Sequence, residues 1–538
     1  MTGTMRLADT LLVNATAYTM DAAQPRATEL AVADGRILAV GDDLRHVVGP
    51  ATEVVDLGGR CVLPGLTDSH IHFASYALTA RRLDLRQAAS LDDLLSAVGR
   101  RASAAAPAPD GTPQWIEGFG WDQERWPEGR FPSSADLDRV APKQPVVLRA
   151  KSGHALVANT AALERAGITT ATPDPAGGRI GRQPNGCPDG MLFEESAMHL
   201  VEDCVPAPSD DVLNRALCEA FQSAWRLGLT TIHDMDGADA FAAFQRLHLQ
   251  EALGLRVVKY LPAEMADQAA ELSMHMPGDR NWLRVGGIKV FADGALGART
   301  AALLAPYDGE PDNWGILTID EGELRILAEQ ALAGQLPLAV HAIGDRANRL
   351  VLDVLTETAP GHPTRSPHRI EHAQLLHCDD IGRFAKLGIV ASMQPIHATQ
   401  DRAMAERYWG ARCATAYAWR SLLRVGAVLA FGSDCPVEDL NPFLGIHAAV
   451  TRSGIGREEA GAQWYPEQCL TVGEAVIAYT LGPALAAGLK DCAGALAPNM
   501  LADLVILDRD IFECDATEIP ETRVLATVIA GKFVYREL

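Results

Sequence analysis

The sequence has no paired-cysteine motif. Its ten cysteines are scattered from Cys61 to Cys514 and none stands in a CxxC pair, which removes zinc ribbons and thioredoxin-type redox motifs from consideration. Scattered free thiols suit a reducing compartment. No stretch approaches the roughly 18 uninterrupted apolar residues of a membrane-spanning helix. The run MTGTMRLADTLLVNATAYTMD has no apolar core behind a basic start, so it does not read as a signal peptide. The expected location is the cytoplasm. Positive charge is in deficit as well, with 47 Lys and Arg against 69 Asp and Glu, a net charge of -22. Nucleic acids and anionic membranes require a basic face, so neither is expected as a partner, and a small-molecule substrate is. There is no GxSxG elbow, no low-complexity tract and no internal repeat beyond a strand-helix unit.

What is present begins with length. A chain of 538 residues is too long for one core, and an α/β barrel alone often takes 250 or more, so one large domain with one or two smaller ones is expected. Both ends read as short strands. LLVNATAYTM, ELAVADGRILAVG and TEVVDLGG lie at the start, ADLVILD and LATVIAGKFVYREL at the finish. Asp34-Gly35 predicts a hairpin turn, since both positions tolerate positive φ, and Gly531-Lys532 predicts another. Residues 1–62 and 493–538 are expected to pair in one composite β-sandwich.

Residues 63–492 alternate apolar strands with amphipathic helices. The strands are VLPGLTDSHIHF, GLTTIHDM, LRVVKYL, VGGIKVFADG, PLAVHAIGD, HRIEHAQ, GIVASMQP and AVLAFGSDC, and their continuous apolar runs suit parallel strands covered by helices. EGELRILAEQALAG, DRANRLVLDVLTETA, CDDIGRFAKLG and TAYAWRSLLRVG show helical spacing. Eight such units predict an α/β fold, a TIM-like (β/α)8 barrel. One connection breaks the rhythm. Residues of about 75–225 are too long for a loop and rich in Pro and Gly, which predicts an insertion folded over the end of the first strand.

Each polar signal closes an apolar strand. His70 and His72 are two apart and share one direction on a strand. His341 ends PLAVH, His372 ends HRIEH, Asp434 follows AVLAFGS and Lys289 lies in GGIKVFADG. A barrel gathers the C-terminal ends of its strands, so four imidazoles, one carboxylate and one lysine are expected to share a centre. Imidazole with carboxylate suits a divalent metal such as zinc, manganese, nickel or iron. Lysine joins as a ligand only when deprotonated or modified, for example as a carbamate. Taken singly, these residues have plainer roles: a strand-end His as hydrogen-bonded filler, Asp434 as a helix cap, Lys289 as an ion-pair partner. Their matching places in consecutive units favour metal. His233 at the end of the second strand is read as filler.

DSHIHF, GGIKVFADGALGART, AVHAIGD, HRIEHAQ, SMQPIH and FGSDCPVE resemble the amidohydrolase superfamily, and within it the branch that contains N-substituted formamide deformylase. The resemblance runs from VLPGLTDSHIH to APNMLADLVILD, where Asn499 departs from the usual Pro-Gly pattern yet still permits a left-handed turn. It implies a binuclear site for divalent metal, zinc first, with one or two ions bound. His70, His72 and Asp434 would hold one, His341 and His372 the second, with a carboxylated Lys289 bridging. It implies hydrolysis of an N-substituted amide, formamide or carbamate-like C–N bond by a metal-activated hydroxide, with Asp434 as the catalytic proton acceptor and donor. Trp121 in GFGWDQERW is expected as an apolar wall and His154 in KSGHALVANTAAL as a catalytic or substrate-binding donor to the carbonyl oxygen. Gln394 and His397, after the seventh strand, are further pocket candidates.

Two alternatives stand beside this reading. One is aminohydrolase chemistry on an imine-like ring carbon. It needs a Glu acid near the fifth-strand His, and AVHAIGD supplies no HxxE. The other is a non-catalytic binding relative, which the retention of all six positions disfavours. A homodimer is the default expectation for an enzyme of this kind.

Overall fold

The computed structural model describes residues 6–104, 114–275, 278–455 and 463–538. Its centre is an eight-stranded parallel sheet: β1 Leu66–Ile71, β2 Leu229–Asp234, β3 Arg256–Pro262, β4 Leu283–Phe291, β5 Leu338–Ala342, β6 Arg369–His372, β7 Val390–Met393 and β8 Leu429–Phe431. The strands neighbour one another in chain order. Nearly every position on them is buried, as their unbroken apolar runs require. The sheet closes into a barrel where β8 meets β1. Asp434 N donates to His70 O at 2.7 Å, and a Cβ on Gly432 would stand 2.4 Å from His70 N, so only glycine permits that approach. All eight strands read from the sequence are these eight.

Helices Glu321–Ala333, Asp345–Thr358 and Cys378–Leu387 cover β4 to β7 where their periodicity predicts them. The first starts in a capping box between Asp320 and Glu323. The TAYAWRSLLRVG helix is shorter than its spacing suggests. It spans Trp419–Arg424, because Tyr417 takes φ 50.

Residues before and after the barrel build two packed sheets. A four-stranded sheet joins Arg36–Gly41, Glu29–Ala33, Thr10–Val13 and Glu53–Asp56. It faces a six-stranded sheet in which Cys61–Pro64 pairs antiparallel with Leu504–Leu507, and Leu12, Leu30, Val32, Val62, Leu504 and Ile506 fill the space between. The Asp34-Gly35 hairpin has φ 50 and 70. The second hairpin turns on Ala530-Gly531, one residue earlier than its glycine suggests, because Lys532 already pairs with Ile529. Asn499 takes the left-handed conformation, φ 71.

The segment after β1 folds as a six-stranded sheet of its own, running from Leu83–Asp84 to Pro188–Phe193, with apolar clusters on both faces. It ends sooner than about residue 225. Helix Asp210–Arg226 buries Leu213, Leu217, Phe221 and Ala224 in the barrel's own core. Among the described residues no helix is long and apolar enough to cross a membrane.

Candidate metal centre

The C-terminal ends of the strands bring the expected residues together. His70 Nε2 and His72 Nε2 each lie 3.5 Å from Asp434 Oδ1. The His372 ring stands 4.8 Å from that of His70 and 4.5 Å from that of His341. One ligand atom each from His70, His372 and Asp434 fall within 4.8 Å of one another. The backbone bends to achieve this. His372 and Asp434 have φ 71 and 60, a region non-glycine residues enter at a cost, and such strain gathers at functional sites. His341 sits differently. Its Nε2 meets Gly294 O at 3.1 Å, which leaves Nδ1 as its uncommitted ligand atom.

Behind three of the histidines a second group fixes the ring. His70 Nδ1 donates to Glu371 Oε2 at 2.6 Å, His72 Nδ1 to Asp236 Oδ1 at 3.3 Å and His372 Nδ1 to Gln394 Oε1 at 2.8 Å. Each bond selects the tautomer whose Nε2 lone pair is free, the form a metal binds. Burial, then the charge of Lys289, lowers His70 to about 4. Burial, then neighbouring cationic groups, pushes His341 and His372 well below the usual value, so all three are neutral near pH 7. His72 is the exception, because Asp236 outweighs its burial and raises it. Gln394 therefore holds His372 from behind and does not line the cavity. It is fully enclosed at a strand end, with its amide oxygen on His372.

Among the described residues, His70 Nε2 and Lys289 Nζ are buried without a hydrogen-bond partner. Leaving such a group unsatisfied costs about 1–3 kcal/mol, more for a charge. Lys289 Nζ lies 4.6 Å from the centre of the Phe291 ring, and burial, outweighing the nearby carboxylates of Glu371 and Asp434, lowers its amine to about 8. Unsatisfied nitrogens converging on a carboxylate make a donor set that a divalent cation completes, so these residues fit a metal. Asp434 is pushed up by burial, but the hydrogen bond with His397 and the neighbouring imidazoles outweigh this and hold it well below the carboxylate range. His233, read as filler, accepts from Arg369 Nη1 at 2.7 Å and belongs to the packed interior.

Above the centre lies a cavity of about 60 Å³ between barrel and insertion, lined by His154, His341, His372, His397 and Asp434 on the metal side. Trp121 borders it but is fully buried. Its Nε1 donates to Leu148 O at 2.8 Å, and its ring packs near Trp126 and Phe131. His154 stands 4.8 Å from the His341 ring and gives Nδ1 to Glu194 Oε2 at 2.7 Å. His397 Nε2 lies 3.3 Å from Asp434 Oδ2 and its Nδ1 3.6 Å from Glu438 Oε1, while Glu438 pairs with Lys151 at 2.9 Å. Burial opposes its charge, but the two carboxylates outweigh it and raise His397 to about 10.

Sequence reasoning missed Glu371, Asp236, Glu194 and Glu438. Glu371 carried a signal: it lies two residues after Arg369 on β6, and the two pair inside the barrel at 2.8 Å. Glu194 carried none, since it reaches His154 only through the fold of the insertion. Its backbone is strained at φ 66, and a Cβ on Gly294 would stand 2.1 Å from its Oε1.

Comparison with known proteins agrees with this geometry. The amidohydrolase family model matches residues 53–535. Protein LONG AFTER FAR-RED 3 of Arabidopsis thaliana is 35% identical over 98% of this chain and 92% of its own length. N-substituted formamide deformylase of Arthrobacter pascens is 29% identical over 98% of this chain and 99% of its own. A crystal structure of an uncharacterized metal-dependent hydrolase from Pyrococcus horikoshii superposes with a TM-score of 0.75 at 29% identity, covering 94% of this chain and 99% of that one. A closed parallel barrel whose strand ends gather histidines, an aspartate and a buried lysine, matched by the family model through nearly its whole length, makes this chain a member of the amidohydrolase family.

Proposed function

We propose that the protein hydrolyses the C–N bond of an N-substituted amide, formamide or carbamate-like small molecule with the help of one or two divalent ions, zinc first among them. The observation that carries this is the pair of orphaned nitrogens, His70 Nε2 and Lys289 Nζ, buried beside Asp434 beneath a cavity that His154 overlooks. The named activity of the Arthrobacter pascens relative points to the same bond class. His70, His72 and Asp434 would hold one ion and His341 and His372 the other. Lys289 would bridge them after its neutral amine adds carbon dioxide, losing one proton and becoming an anionic carbamate. Bound there, the ions supply Lewis acidity and an activated water.

The chain's own residues do the rest. Asp434 turns Oδ1 to the histidines and Oδ2 to His397, and a carboxylate oxygen of Asp434 takes the proton from the attacking water. The same atom returns it to the departing nitrogen. Burial opposes a charge on His154, but Glu194 outweighs it and raises the imidazole above its ordinary value, which favours the form that offers an N–H to the carbonyl oxygen as negative charge develops there. Trp121 and the insertion around it shield the cavity from bulk water.

The test is metal analysis of gently purified protein together with a screen of N-substituted formamides, acetamides and carbamates with added zinc or manganese. One to two ions per chain and release of free amine are expected. Metal-loaded protein inert towards all three classes would overturn the substrate reading, and protein unable to retain metal would overturn the centre.

A further inference from the structure

The other mouth of the barrel holds a second cavity, of about 110 Å³. It opens among the N-terminal ends of β4, β5 and β6, and its walls include Arg280, Arg284 and Arg365 with Ser273 and Ser366. Two of these arginines have local work. Arg280 Nη2 donates to Met274 O at 2.8 Å, at the end of helix Ala266–His275, and Arg365 Nη1 donates to Ser273 Oγ. Basic residues are at home beside a helix C-terminus, so these contacts alone point to no ligand.

Arg284 is different. It stands on β4, the strand that carries Lys289, about 16 Å from it along the chain. Among the described residues its guanidinium has no hydrogen bond and no ion pair, although it is half-buried. Burial, with the like charges of Arg280 and Arg365, lowers it from its ordinary value. None of the three guanidiniums pairs with a carboxylate among the described residues, in a chain of net charge -22. Arg256, on the neighbouring strand at the same mouth, shows the alternative: it is neutralised by two bonds to Asp503, at 2.5 and 2.9 Å. Three unneutralised cations around a cavity, with two hydroxyls among them, form a donor array for a tetrahedral oxyanion, since guanidinium forks match its oxygens two at a time.

We infer that this mouth of the barrel binds a phosphate-type dianion, free or as a phosphomonoester, between Arg280, Arg284 and Arg365, at a site separate from the metal centre. Its occupation neutralises the cluster and stabilises the barrel from the end opposite the chemistry.

Thermal unfolding and calorimetry of the full-length protein test this, with inorganic phosphate and glycerol phosphate titrated at ionic strength held constant with chloride. Saturable binding is expected, with a rise in Tm of about 2 °C at ten- to hundred-fold excess over Kd. Arg284→Met should weaken binding at least tenfold. Arg365→Gln, at the exposed rim, should weaken it several-fold and covers the case in which the first variant does not fold. Asp434→Asn, at the metal centre, should leave it unchanged. Tighter binding of the ester marks a phosphorylated metabolite as the ligand, and equal binding marks free phosphate. No stabilisation beyond chloride, or stabilisation that survives in the arginine variants and disappears in Asp434→Asn, overturns the site.

Discussion

Lys259 on β3 and Lys289 on β4 are both buried inside the barrel, one strand apart, and their surroundings differ completely. Lys259 donates to Asp234 Oδ1 at 2.6 Å and to Asp236 O, while Asp234 also accepts from Phe73 N at 3.0 Å. The same holds for the layer around Arg369, which donates to Glu371, Tyr260, His233, Ser392 and Ser69 O. Lys289 Nζ has no hydrogen-bond partner among the described residues. A satisfied buried charge holds the scaffold in one arrangement. An unsatisfied one, retained against its desolvation cost, marks where something else binds.

Substitutions can break or sharpen this contrast. The largest effect is expected from Asp434→Asn, which keeps the shape and removes the proton acceptor. Turnover should fall by about 10³–10⁴-fold, with the circular dichroism spectrum unchanged. Normal turnover would remove Asp434 from the chemistry. Next come the lysines themselves. Lys259→Met strands Asp234 as a buried unpaired carboxylate and should cost about 3–5 kcal/mol in denaturant unfolding. Lys289→Met removes an orphan, so stability should hold or rise by about 1 kcal/mol while bound metal is lost. Equal losses in both variants would erase the distinction.

His368 offers a smaller effect tied to pH. Its Nδ1 accepts the Leu338 N–H at 3.0 Å, which requires the neutral ring, and burial lowers it to about 4. Its folded value lies below the unfolded value of about 6.5, so the unfolded chain binds more protons between the two. Stability is complete above pH 6.5 and falls as pH drops through 4, by at most about 3 kcal/mol. His368→Gln should flatten that window relative to the wild type. The smallest effect is expected from Glu194→Gln, which leaves His154 in place without its counter-charge. A roughly tenfold loss of turnover, or about 1.4 kcal/mol, with full metal content is the expected outcome. An unchanged rate would reduce Glu194 to packing.

The barrel and its ligand candidates were legible because chemistry-bearing residues punctuate apolar runs. VLPGLTDSHIH and PLAVH announce both a strand and its polar end. Legibility stopped where a residue depends on a different part of the fold. Gln394 looks like a pocket residue until β6 and β7 lie side by side and its amide reaches His372. Glu194 and Lys151 enter from the insertion, whose path over the barrel no periodicity encodes. The insertion's end is not legible, because helix Asp210–Arg226 has the same amphipathic pattern whichever core it serves.

The pairing of Cys61–Pro64 with Leu504–Leu507 couples assembly to synthesis. About 440 residues must leave the ribosome between the two strands, which at 5–20 residues per second takes roughly 20–90 s. Through that interval the early strand presents an open edge able to recruit a stray neighbour, whereas the barrel, whose last strand ends at Phe431, has all its parts sooner. A nascent chain halted after the barrel would hold every expected metal ligand and still carry that exposed edge, so chaperone demand should peak late in translation.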